Sequence, residues 1–143
     1  MTRSTSAPAT VRTYLLDTHT DLLGTVLACA DDIADSWDGD ARTDRAAVVE
    51  PFECGLDQAG VLDRLPVVLV GAVDALDAEL TAKPVAAPPY VAITSVGPVL
   101  RATLGSGRLV VTIHTFGIER DPTRYVRGPA DPADAIAVEL RNR

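Results

Sequence analysis

Residues 90–118 read YVAITSVGPVLRATLGSGRLVVTIHTFGI. Two runs rich in Val, Leu, Ile and Thr flank Gly105-Ser106-Gly107, and a third ends at Gly97-Pro98. β-branched residues in short runs between Gly and Pro punctuation predict a meander, with strands over 90–95, 99–104 and 108–118. Register follows from the side-chain period of two, because a one-residue slip moves every side chain to the other face. A three-residue loop pairs Ala102 with Val110 and mixes the faces. An even-length loop that pairs Leu104 with Leu109 sets Leu100, Ala102, Leu104, Leu109, Val111 and Ile113 on one face. That face is expected to pack on helices. The opposite face then carries Val99, Arg101, Thr103, Val110, Thr112, His114, Phe116 and Ile118. Phe116 and Ile118 make it too apolar for a purely solvated surface.

Upstream, Val11, Leu15, Leu22, Val26, Cys29, Ile33 and Trp37 recur at helical spacing and predict one long helix over 11–37, capped by Thr10. A second helix is expected over 43–58, capped at Thr43 or Asp44, kinked or divided at Pro51 and stopped by Gly60. A third is expected over 66–79, with Pro66 in its first turn. Pro84, Pro88 and Pro89 then enforce an extended connector. Residues 1–10 are read as a flexible tail and 11–143 as a single domain, helical over 11–80 and sheet-forming over 90–141. Past the meander, Asp121-Pro122, Gly128-Pro129 and Asp131-Pro132 mark turns, and Tyr125-Val126-Arg127 is a candidate edge strand. The segment 134–141 alternates, with Ile136, Val138 and Leu140 on one side, and is expected to close the sheet. The predicted fold class is α+β: three N-terminal helices on one face of a four-stranded, mostly antiparallel meander.

A chain of 143 residues buries roughly 68–70% of its unfolded surface, enough for a core without disulfides or metal. Cys29 and Cys54 are the two cysteines, and the expectation is free thiols in a reducing cytoplasm. Residues 1–10 lack the apolar core of a secretory signal, and no run approaches the roughly 18 apolar residues of a membrane span. The net charge is −7, with one lysine against twelve arginines and fifteen aspartates against five glutamates. Such a surface keeps a protein dispersed when salt screens ordinary repulsion, and the pattern resembles soluble proteins of halophiles. Charge is unevenly spread. Residues 1–80 carry 5 Arg and 15 acids, a net of −10; residues 81–143 carry 8 basic residues and 5 acids, a net of +3.

Known catalytic signatures are absent: no P-loop, no dinucleotide fingerprint, no nucleophile elbow, no HExxH and no CxxC. His19 and His114 are the only proton shuttles near neutral pH, and the register sets them on opposite sides of the sheet. No metal or cofactor is expected. Asp31, Asp32, Asp35 and Asp38 crowd the end of the first helix and read as a solvated face. Arg101, Arg108, Arg120, Arg124 and Arg127 lie on or beside the sheet, and guanidinium forks recognise phosphate and carboxylate.

The runs Gly60-Val61-Leu62-Asp63-Arg64-Leu65-Pro66, Pro88-Pro89-Tyr90-Val91, Gly97-Pro98-Val99-Leu100-Arg101 and Arg124-Tyr125-Val126-Arg127 resemble a small family of uncharacterised haloarchaeal proteins, over residues 11–141. The resemblance implies a saline environment and no activity.

Three readings follow. The first is a non-enzymatic binding or assembly domain, meeting a second copy or a protein partner through the outer sheet face, with Arg101, Thr112, His114, Phe116, Arg124 and Arg127 as binding residues. The second is a small-molecule-binding domain or enzyme with a pocket between helices and sheet. The third is single-stranded nucleic-acid binding on the arginine-bearing side.

Overall fold

The N-terminal helix starts earlier than its apolar pattern does. In the computed structural model, which describes residues 6–141 apart from positions 38, 40, 81, 106, 121 and 130, helix α1 spans Ala7–Thr18. Ser6 caps it, its hydroxyl accepting from Ala9 N at 3.2 Å, and Pro8 occupies the first turn, where a missing N–H costs nothing. The expected tail therefore folds from residue 7 onward, while residues 1–5 lie outside the described residues.

The single long helix expected over 11–37 is two. Helix α2 spans Thr20–Asp35, and His19 stands at the joint with φ −121° and ψ 28°. The Thr20 hydroxyl donates to the Leu16 carbonyl, a local bond that competes with the helical ladder. Beyond β1 (Ala41–Arg42), helix α3 spans Arg45–Gln58 under an Asp44 cap, with Pro51 inside it but not ending it. Gly60, at φ 77°, stops it as expected: Gly60 N donates to Asp57 O and Val61 N to Leu56 O, the paired bonds of a left-handed cap. A 3-10 turn at Leu62–Arg64 leads into α4, Leu65–Ala75, four residues short of the expected end.

The main sheet is antiparallel, in the order β2 (Val91–Thr94), β3 (Gly97–Leu104), β4 (Gly107–Ile113), β7 (Ile136–Arg141). The meander and its closing strand are as the sequence predicts. The register differs by two residues: Leu104 pairs with Gly107 and Leu100 with Val111. An even shift preserves the faces, so Leu100, Ala102, Leu104, Leu109, Val111 and Ile113 all point inward and are buried. Helices α1 and α4 cover that face, α1 along β7 and α4 along β3, while α2 packs on α3. Arg12, on α1, donates to the carbonyls of Ile136 (2.8 Å) and Ala133, pinning the helix to the start of β7.

The strand expected over 108–118 breaks at His114. Thr115 N and Phe116 N both donate to Val96 O, at 2.7 and 3.2 Å, and His114 N donates to Ala135 O. The β2–β3 turn thus captures the chain as β4 ends. Gly97 permits the approach: at φ 138°, a Cβ there would sit 1.9 Å from the Ile113 carbonyl oxygen. The diverted chain builds a second, three-stranded sheet in the order β1, β6 (Arg124–Arg127), β5 (Phe116–Glu119). Tyr125-Val126-Arg127 is therefore a central strand, paired on both sides, and not an edge. A single helical turn, α5 (Pro132–Ala135), precedes β7.

Candidate functional site

The residues assigned to the outer face do not converge. Arg101 is exposed there, and Thr112 is half-buried between Val99 and Ala137. His114 stands at the strand break. Phe116 is in the core, 1% exposed, against the rings of Trp37 (5.7 Å) and Phe52 (5.2 Å, edge-on). The alternation that assigned it to the outer face stops at His114, which corrects that placement. Arg124 belongs to the second sheet, its Nε 2.5 Å from Glu119 Oε1, with both side chains about half exposed. Arg127 is structural. Its Nε lies 2.7 Å from Asp31 Oδ1, and its two terminal nitrogens donate to the carbonyls of Thr115, Pro129 and Leu27.

What the fold does bring together is a different arginine group. Register pairs Thr103 with Arg108 and Arg108 with Arg141, so these three form one row across β3, β4 and β7. The next row holds Arg101 opposite Val110 and Val110 opposite Glu139. On its other side Arg101 faces Tyr90, whose carbonyl accepts from Arg101 N at 2.8 Å. The strand residues of both rows share the outer face by parity, while Tyr90, in the turn before β2, is half-buried beside them and also packs on the core. A surface depression of about 550 Å³ at the β3 edge is lined by Tyr90, Arg101, Ala102, Thr103, Arg108 and Arg141, together with Leu80, Ala82 and Pro89 from the segment before β2. Arg141 is held by Glu139 at 2.9 Å. No described side chain bonds or ion-pairs with Arg101 or Arg108. The alternation of 136–141 sets Arg141 on the outer side, but its place beside Arg108 follows from the β4–β7 register, which no local turn fixes.

The pocket expected between helices and sheet is not where this opening lies. That interface is filled by Leu15, Leu69, Leu100, Leu109 and Val111, none more than 1% exposed.

Shifted titration is found at the helix side. Tyr14 Oη lies 2.7 Å from His19 Nε2, with the rings edge-on. Burial, and then the Asp74 carboxylate, raise the Tyr14 phenol above its ordinary value; burial, and then Arg64, lower the His19 imidazole. Both directions favour the neutral forms, a protonated phenol and an uncharged imidazole sharing one hydrogen bond. The ring fits because residue 71 is glycine: a Cβ there would meet the Tyr14 hydroxyl at 1.7 Å. This pair fastens the α1–α2 joint to α4. Burial, with Asp32 adding to it, raises the Cys29 thiol, which is free, as is exposed Cys54.

Asp31, Asp32 and Asp35 are exposed, and Asp38 lies outside the described residues. Among the described residues no three of His, Cys, Asp or Glu gather where a metal ion would bind, and no helix is long and apolar enough to cross a membrane. A family model described as a domain of unknown function (DUF7988) matches residues 9–141. No curated protein and no solved structure matches the chain.

Proposed function

Because the chain belongs to the DUF7988 family, which brings no activity with it, we propose from its own residues a non-enzymatic binding domain that holds an anionic group on its outer sheet face, at Arg101, Arg108 and Arg141. One observation carries this: Arg108 stands directly opposite Arg141, and among the described residues only Arg141 has a carboxylate beside it. Like charges directly opposite destabilise a strand pair by roughly 0.2–1 kcal/mol, and a bound anion reverses the sign. In a chain of net charge −7, two of these three arginines face no carboxylate among the described residues. With Phe116 in the core, the apolar motive for self-association through this face is gone, and the face meets its partner through charge.

The acidic composition supports a saline setting, and an exposed free thiol at Cys54 supports a reducing compartment such as the cytoplasm. Thermal unfolding at matched ionic strength tests the binding reading, with phosphate replacing chloride. Phosphate also stabilises folded proteins by exclusion from their surface, so the informative quantity is the difference between wild type and R101Q/R108Q. Wild type is expected to gain several degrees more than the variant, as selective binding to the folded state requires. Equal gains would sink the proposal.

A further inference from the structure

The depression has two ends of different chemistry. At one, Tyr90 faces Arg101 across the strand pair, and Pro89 precedes it in the chain. At the other, Thr103, Arg108 and Arg141 form a single row. Arg101 and Thr103 are two residues apart, and two residues of strand span about 6.8 Å. Building on the reading that these arginines hold an anion, we infer that the ligand is a phosphorylated small molecule bearing a planar ring, of the nucleoside monophosphate class. The ring rests against Tyr90 and Pro89, and the phosphate sits among Arg108, Arg141 and Thr103.

The chemistry at each end supports that assignment. Guanidinium forks match phosphate oxygens bidentately, and Thr103 is exposed beside them with a hydroxyl that can donate. Any base offers a π-face to an aromatic side chain, and an arginine beside the ring adds a cation–π contribution. A pentose joining ring to phosphate spans a distance of the order of the row spacing. Glu139 pairs with Arg141 at 2.9 Å, and a carboxylate beside the arginine row opposes a second or third phosphate.

A polymer fits less well. Single strands need a basic groove that tracks their backbone, with several stacking aromatics. Arg124 is ion-paired in the other sheet, and Arg127 is consumed by backbone carbonyls. The volume of about 550 Å³ is that of a small-molecule site.

Calorimetric titration of the wild-type protein at fixed ionic strength tests the inference, with AMP, GMP, CMP, UMP, adenosine, inorganic phosphate and a thymidine oligonucleotide. At least one monophosphate is expected to bind about tenfold more tightly than inorganic phosphate, and adenosine more weakly than AMP. Tyr90→Leu should bring the monophosphates down to the phosphate level, while Arg108→Gln weakens monophosphate and phosphate together. If no monophosphate exceeds phosphate, the ring assignment is wrong and the anion site stands. If no probe binds at all, both readings fall. An oligonucleotide affinity tenfold above every monophosphate overturns the compact ligand. These three outcomes are read on wild type and do not depend on how a variant folds.

Discussion

At the scale of single residues, His19 shows how one side chain sets a joint. Its imidazole shares a hydrogen bond with Tyr14 at 2.7 Å, and burial, with Arg64 nearby, lowers its proton affinity below the ordinary 6.5. In the unfolded chain the ring takes up a proton near 6.5; in the fold it resists. Just below that pH the unfolded state binds more protons, so His19 makes stability fall as the solution is acidified through this window. Urea unfolding at pH 7.5 and 5.5 should show a larger acid loss in wild type than in His19→Gln; equal losses would remove His19 as the cause. The sequence marks His19 as a proton-active residue but not as a break, because Leu16, Leu23 and Leu27 keep helical spacing straight through it. Its partners come from Tyr14, five residues back, and from the opening at Gly71 in a distant helix.

At the scale of elements, parity was legible and bends were not. Two strands with period-two apolar patterns leave one choice of inward face, whatever the hairpin length, which is why Leu100 to Ile113 pointed correctly while their partners were off by two. The end of β4 could not be read. Thr115 and Phe116 are good strand formers, and what turns them aside is a carbonyl nineteen residues away from Thr115, at Val96. Gly97 is the residue on which that turn depends. Gly97→Ala should cost about 2–4 kcal/mol, since the new methyl overlaps the Ile113 carbonyl in a backbone conformation that alanine resists. Gly105→Ala is the control, because a Cβ at Gly105 meets nothing within 4 Å. Chemical denaturation of the pair measures the difference; similar midpoints would mean that the turn relaxes freely.

At the scale of the whole molecule, the acidic helices and the basic sheet half meet through Arg127. Among the described residues, Arg127–Asp31 is the ion pair that joins them, and the same guanidinium satisfies carbonyls from β6's own exit, the strand break and α2. Arg127→Met should destabilise by about 2–3 kcal/mol, because those carbonyls lose their donor. Arg124→Gln, which removes an exposed pair, should fall within about 0.5 kcal/mol of wild type. Urea midpoints compare the two, and equal losses would deny Arg127 its structural role. The sequence grouped both arginines as surface binders, since composition does not distinguish a guanidinium facing water from one facing carbonyls. Arg12 has a consequence of another kind. His114 N bonds Ala135 O, so along β7 the groups of Ile136 point away from β4, toward the open side of the sheet. Arg12 occupies that carbonyl. An incoming strand from another chain finds the first rung of the ladder already taken. Such a stopper blunts the edge against lengthening of the sheet into an aggregate.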